Sequence, residues 1–125
     1  MYKINVSTKC DILESMSRKT TSVRNEFRTN NADPRGHPVY VFAQVGHDLI
    51  YFVITHSAKF DGVVPFRINP NPSDNKETSF YVPIPQRLRV DNFGRVRKGW
   101  KICEEDLEYM KQYMKIPKKC TKNYK

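Results

Sequence analysis

The sequence predicts one small α+β domain in which short strands are followed by a closing C-terminal helix. Two β-branched and aromatic runs, VYVFAQV (39–45) and LIYFVIT (49–55), are separated by three turn-forming residues, a pattern typical of a β-hairpin. The segment CEEDLEYMKQYMKI (103–116) is amphipathic, with an acidic start and lysines near its end, as expected of a helix. A chain of 125 residues suits one domain with one hydrophobic core.

The first third of the chain is predicted to be helical and then irregular. Apolar residues between Asp11 and Arg28 recur at helical spacing, so we expect an N-terminal helical segment within residues 1–33. The stretch TNNADPRGHP (29–38) contains Asn-Asn, Asp-Pro, Arg-Gly and His-Pro pairs, which favour a loop.

Shorter strands are expected after the hairpin, between loops rich in Pro and Asn. They fall in VVPFRIN (63–69), SFYVPIP (79–85) and QRLRVDNFGRV (86–96). Such a set of strands is compatible with a small SH3-like β-barrel over residues 37–115, including the closing helix. We expect the globular domain to span residues 1–116, followed by a basic tail at 117–125.

Charge and cysteine usage narrow the classes of function. The net charge is +9 and is concentrated in residues 80–125, which predicts a polyanionic partner such as RNA or DNA; a solvated basic face with a frayed tail is the alternative. The three cysteines show no CxxC pair, so we expect free thiols and no zinc site. No 18-residue apolar run or apolar signal core is present, so we expect a cytoplasmic protein without membrane contact.

The hairpin predicts that two polar segments meet. The start of the first strand and the end of the second lie at the same end of a hairpin, so DPRGHP and THSAK come together. We expect this cluster to contain Arg35, His37, Thr55, Ser57 and Lys59.

These side chains supply hydroxyl, imidazole and cationic groups without a carboxylate or a cluster of metal ligands. Such a set suits cleavage of RNA by its own 2′-hydroxyl, with a base, an acid and cations that stabilise the charge on the phosphate. DNA lacks this hydroxyl. We therefore predict RNA as the substrate and no metal or other cofactor.

A basic stretch provides a predicted track for the RNA backbone. Arg87 and Arg89, together with Arg67 from an earlier strand, are expected to hold flanking phosphates. Phe93 and Trp100 lie within the stretch and suit base stacking, or else they anchor the closing helix to the sheet. The basic residues are Arg87, Arg89, Arg95, Arg97, Lys98 and Lys101.

The order of these motifs resembles the MazF/PemK-like toxins of bacterial toxin–antitoxin systems and their ToxN-like relatives. The likeness covers about residues 36–114 and rests on GHPVYVF, YFVITHSAK, VPFRI, SFYVPIPQRLRVD and GWKICEEDLEYMKQYM. It implies an SH3-like barrel, a metal-independent and sequence-specific endoribonuclease acting on single-stranded RNA, a protein or RNA antitoxin as partner, and a homodimer.

The resemblance also implies roles for individual residues. Thr55 takes the position of the family's catalytic Thr, and Gln86 matches a Gln that precedes a basic residue. The family's Arg before Pro is His37 in this chain, with Arg35 two residues earlier. Either this histidine serves as a general base or acid, or the site is inactive.

Two other classes of function compete with the nuclease. The substitution at His37 favours a non-catalytic nucleic-acid-binding protein, such as an accessory protein of a mobile element or phage. A protein-interaction or structural domain is the third class.

Overall fold

The computed structural model describes residues 6–15, 21–58, 62–74 and 78–114, which form an α+β domain on one six-stranded sheet. Helix α1 (Val6–Ser15) precedes the sheet; helix α2 (Glu104–Lys111) follows it and continues into a 3-10 turn, Gln112–Met114. The strands are β1 (Thr21–Thr29), β2 (Pro38–Val45), β3 (Asp48–Thr55), β4 (Val64–Pro65), β5 (Phe80–Tyr81) and β6 (Gln86–Arg89).

The predicted hairpin is confirmed and forms the centre of the sheet. Strands β2 and β3 pair antiparallel around a turn at Gly46, whose φ of +61° favours glycine. The strand order is β1-β2-β3-β5-β4. The outer edge of β3 pairs with β6 near its start and with β5 at its end, so β3 is enclosed on both sides.

The predicted α+β class is confirmed, but the sheet is open and its strand pairing does not close into the predicted barrel. The outer edge of β1 nevertheless has backbone partners in the segment after β6. The N–H of Gly94 donates to the carbonyl of Thr29 at 2.9 Å, and the N–H of Arg97 donates to that of Phe27 at 2.7 Å. These bonds cover the second half of an edge strand that would otherwise expose its polar groups.

The predicted helix across Asp11–Arg28 is wrong over the part that forms β1. Strand β1 pairs with β2 along its length, but the register shifts between Val23 and Glu26. Asn25 sits in this bulge with φ +48°, and its side-chain oxygen accepts a hydrogen bond from the Tyr40 hydroxyl at 2.5 Å. The bulge interrupts the two-residue alternation that identifies a strand, so the spacing of Val23 and Phe27 resembled a helical face.

Both faces of the sheet are buried, as the apolar hairpin strands predict. One face packs Tyr40, Phe52, Ile54 and Tyr81 against Met110 of α2. The opposite face carries a second cluster: Val39, Val41, Leu49, Tyr51, Val53, Val82 and Phe93. This packing fixes the register of the hairpin, because a slip by one residue would exchange the two faces.

The cysteines differ from the sequence prediction. Cys10 is buried and disulfide-bonded, whereas Cys103 is free, so the expectation of three free thiols is wrong for Cys10. Cys120 and the predicted basic tail at 117–125 lie outside the described residues. None of the described helices is both long and apolar enough to cross a membrane.

Candidate active site

The hairpin brings the two polar segments to one cavity of about 420 Å³. Val39 pairs with Val53, so the residues just before β2 lie beside the end of β3. The cavity is lined by Arg35, His37, Pro38, Ile54, Thr55, His56 and Ser57. The prediction that the two segments share a small volume is confirmed for the four members that the structure describes; Lys59 lies outside the described residues.

A tight turn at the start of β2 holds His37 against a carboxylate. The backbone N–H of Gly36 donates to the carbonyl of Asp33 at 2.9 Å, and that of Arg35 donates to the Asp33 side chain, also at 2.9 Å. Asp at the first position and Pro at the second are typical of such a turn. The turn places the Asp33 carboxylate 2.5 Å from Nδ1 of His37.

The environment of Asp33 favours its ionised form. Burial acts to raise the pKa, but the hydrogen bonds from the Arg35 backbone and from the ring and backbone of His37 outweigh burial and lower it. An ionised Asp33 accepts a hydrogen bond from the protonated Nδ1 of His37, so Nε2 is the ring nitrogen that carries the free lone pair. Burial, helped by the charge of Asp33, raises the pKa of nearby Tyr51 to about 12, which removes Tyr51 as a base near neutral pH.

Thr55 is the last residue of β3 and is 4% exposed. Its hydroxyl oxygen accepts a hydrogen bond from the backbone N–H of Ser57 at 3.1 Å. This bond turns the chain sharply at the strand end and orients the hydroxyl at the wall of the cavity. The turn also explains why Ser57 returns to the same cavity after β3 has ended.

A second histidine with a carboxylate neighbour lines the same cavity. Nε2 of His56 lies 3.4 Å from a carboxylate oxygen of Asp74. Asp74 comes from a separate loop, where the Asn69 amide donates to its carbonyl at 2.6 Å and its own N–H donates to the carbonyl of Asn71 at 3.2 Å. The alternation that would point His56 away from Thr55 does not apply, because β3 ends at Thr55.

Arg35 contributes a positive charge to the cavity wall. Its side chain is exposed, and its guanidinium has no carboxylate partner among the described residues. An unpaired guanidinium beside two imidazoles suits an anion that it can bind through two oxygens, such as a phosphate.

The predicted RNA-binding residues divide between the two sides of the sheet. Gln86 pairs with Tyr51 and lines a second cavity, which shares Arg35 and His37 with the first. Arg87 follows Gln86 in β6, so its side chain lies on the opposite face, where it binds Asp48 at 2.7 Å near the hairpin turn. Arg89 lies on that face too, 3.4 Å from Asp91.

Arg67 and Trp100 lie away from both cavities. The Arg67 guanidinium binds the exposed Glu105 of α2 at 2.6 Å. Trp100 packs against Phe27 with ring centroids 5.6 Å apart, and the guanidinium of Arg97 covers its ring at 4.7 Å. These contacts correspond to the anchoring alternative for Trp100, which packs on the same face of the sheet as α2. Phe93 instead packs on Tyr51 on the opposite face, so it does not anchor the helix.

Sequence reasoning missed the two carboxylates of the site. Asp33 could have been found from the pattern Asp-Pro-x-Gly-His, in which the turn brings residue 37 back to residue 33. Asp74 gives no local signal, because its contact with His56 joins loops 18 positions apart. Across the described segments, no group of three or more His, Cys, Asp or Glu residues is arranged to hold a metal ion.

No protein-family model matches the chain, and no curated protein matches it either.

Proposed function

We propose that this protein is an endoribonuclease that cuts single-stranded RNA by attack of a ribose 2′-hydroxyl on the adjacent phosphorus. One observation carries the proposal: a single cavity is lined by His37, whose Nδ1 is held by Asp33, by the unpaired guanidinium of Arg35 and by Thr55. A base, a cation and a polar wall at the end of one hairpin are the groups that this reaction needs.

In the proposed reaction, Nε2 of His37 removes the proton from the 2′-hydroxyl. Asp33 holds Nδ1 at 2.5 Å and stabilises the imidazolium that forms. The 2′-oxygen bonds to phosphorus while the bond from phosphorus to the 5′-oxygen breaks. The products are a 2′,3′-cyclic phosphate and a 5′-hydroxyl, so atoms and charge balance without water or a metal.

The leaving oxygen and the phosphate also need partners. We assign protonation of the 5′-oxygen to the imidazolium of His56, which Asp74 stabilises at 3.4 Å. Arg35, Thr55 and Ser57 contact the phosphate oxygens, where negative charge builds up. Lys59, two residues further along the chain, is proposed to join them. We thus take His37 as the general base, which is one of the alternatives left open by the sequence, and Thr55 as a group that holds the phosphate.

The finer fold and the biological context remain proposals. The hydrogen bonds that join β1 to residues 94–97 support an SH3-like arrangement of the strands, as in the MazF/PemK-like and ToxN-like toxins. A toxin of this kind would require a cognate antitoxin, either a protein or an RNA. It would act in the cytoplasm as a homodimer, as the resemblance to that family implies. The net charge of +9 supports an anionic partner.

Cleavage of a mixed-sequence RNA in EDTA tests the nuclease proposal. We expect the wild-type protein to cut the RNA and the His37→Gln and Thr55→Val variants to lose most of this activity. His47→Gln is the matched control, because His47 is exposed in the hairpin turn, about 26 Å along the chain direction of β3 from Thr55.

A binding measurement on the same RNA separates cleavage from simple binding. RNA that is retarded on a gel but stays intact would refute the nuclease and favour the accessory nucleic-acid-binding protein. Equal loss of cleavage in His37→Gln and His47→Gln would show that the activity does not come from this cavity.

A further inference from the structure

We propose that the second cavity is a nucleobase subsite, in which Gln86 reads the edge of an unpaired base. This cavity of about 350 Å³ is lined by Asn30, Asp33, Pro34, Arg35, His37, Val53 and Gln86. Its volume lies at the lower end of the roughly 300–1,000 Å³ of small-molecule sites, which suits one base. The inference rests on the proposed function for the placement of the phosphate.

The sheet fixes Gln86 in this cavity. Gln86 lies opposite Tyr51 in the β3–β6 register, and directly paired residues place their side chains on the same face. Val53 follows Tyr51 by two residues and shares that face, so it forms an apolar floor beside the amide. Among the described residues, the Gln86 amide has no hydrogen-bond partner, which leaves a donor and an acceptor for a ligand.

Asn30 provides a second amide that is held firmly in place. It is buried, its side-chain oxygen accepts from the N–H of Ala32 at 3.0 Å, and its own N–H donates to the carbonyl of His37 at 3.1 Å. One lone pair of the oxygen is therefore used, and the amide nitrogen remains to donate. Its fixed orientation suits recognition more than adaptable binding.

The chemistry of the lining matches a nucleobase. Unpaired bases are recognised by hydrogen bonds to their Watson–Crick edges and by stacking on flat side chains, including His and the Arg guanidinium. The cavity offers two amides for the edge, Arg35 and His37 for the faces, and Val53 with Pro34 as apolar contacts. A base in a duplex has its Watson–Crick edge occupied, so this subsite selects single strands.

The two residues that line both cavities indicate which nucleotide the subsite holds. Arg35 and His37 line both cavities, so the base lies next to the imidazole that removes the 2′-proton. The base and the 2′-hydroxyl then belong to the same nucleotide. We infer that the cavity reads the nucleotide on the 5′ side of the cut.

Uncleavable dinucleotides test the subsite independently of catalysis. The four compounds carry a 2′-O-methyl group on the first nucleotide, vary only in that base, and are titrated into ¹⁵N-labelled protein. We expect the Gln86 side-chain amide signal to shift and the dissociation constants to differ by about 10-fold between best and worst base. Gln86→Ala should reduce this range to about 2-fold or less, whereas the exposed Gln112→Ala should preserve it.

Gln86→Glu keeps the shape of the side chain and guards against a folding defect in Gln86→Ala. It replaces the donor by an acceptor, so we expect the order of preference among the bases to change. Equal affinities for all four dinucleotides, or an unchanged order in both variants, would overturn the subsite. If the protein nevertheless cleaves RNA in EDTA, only the subsite fails; if it binds the dinucleotides selectively but leaves RNA intact, only the proposed nuclease fails.

Discussion

Replacing Asp33 with Asn tests how His37 is held in its reactive state. The asparagine oxygen can still accept from the N–H of Arg35, as the Asp33 side chain does at 2.9 Å, so the turn should persist. The negative charge beside Nδ1 of His37 is lost. An amide can also present its nitrogen to the ring, which would place the proton on Nε2 and remove the base.

The structure sets the size of the effect. The Asp33 and His37 side chains are 24% and 20% exposed, so water screens their interaction only in part. A hydrogen bond to a charged group contributes about 1.5–3 kcal/mol. Because screening puts the contribution at the lower end of that range, about 1.5–2 kcal/mol, kcat/KM should fall about 10- to 30-fold, while the free energy of unfolding should change by less than about 1 kcal/mol.

The assay is steady-state cleavage of a defined fluorogenic RNA in EDTA, paired with urea denaturation of each variant. Asp91→Asn is the control, because that carboxylate is exposed and lies near Arg89 on the surface. If Asp33→Asn keeps wild-type kcat/KM while His37→Gln is inactive, the carboxylate does not support the base and the mechanism given for His37 is wrong.

Three further predictions concern stability. Arg97→Ala should lower the free energy of unfolding by about 1–3 kcal/mol, because the Arg97 guanidinium donates to the Thr29 hydroxyl at 2.7 and 3.1 Å. Urea denaturation measures the change, and a variant with wild-type stability that is impaired only in RNA binding would contradict the prediction. Asp106→Ala should cost about 2–3 kcal/mol in the same measurement, since the buried carboxylate accepts from backbone N–H groups at 3.0–3.3 Å, whereas the exposed Glu105→Ala should cost under about 1 kcal/mol. The pKa of Asp33 is lowered in the folded protein, so its ionised form stabilises the fold above pH 3.8, the ordinary pKa, and this stabilisation is lost as the pH falls through the lower folded-state pKa. In thermal melts between pH 5 and 2, the melting temperature of Asp33→Asn should therefore fall less steeply with pH than that of the wild type. Parallel curves for the two proteins would refute this.

The hairpin and the cluster at its end were predictable because their signals are local. Long β-branched runs around a short turn determine the pairing, and pairing determines which ends meet. That reasoning placed Arg35, His37, Thr55 and Ser57 at one cavity without knowledge of the rest of the fold. The buried apolar residues on both faces of β3 then fix the register.

The features that sequence reasoning missed depend on non-local contacts. Strand β1 shows a helix-like spacing of apolar residues because its bulge at Asn25 breaks the alternation, and the bulge is held by Tyr40 of the neighbouring strand. His56 gives no signal of a role in the site from the sequence, because a strand that continued past Thr55 would point its side chain away from Thr55. Only the fold shows that β3 ends there and that a distant loop brings Asp74 to the imidazole.

The basic residues show a different limit of sequence reasoning. A run of cations predicts a polyanion-binding track, yet Arg87 binds Asp48 and Arg97 binds Thr29 and covers Trp100. Charge alone does not reveal which cations have partners within the protein. Arg35 is exposed, lines both cavities and has no carboxylate partner in the described part of the chain, so it is the cation that we expect to contact RNA first.

Identification of the product ends tests the central claim most directly. Wild-type protein is incubated in EDTA with an RNA oligonucleotide and with the same oligonucleotide carrying one 2′-deoxy nucleotide at the cut position, and the fragments are weighed by mass spectrometry. The proposed chemistry predicts a 2′,3′-cyclic phosphate and a 5′-hydroxyl from the first oligonucleotide and no cut at that position in the second. Fragments with 5′-phosphate ends, or equal cutting of both oligonucleotides, would contradict it.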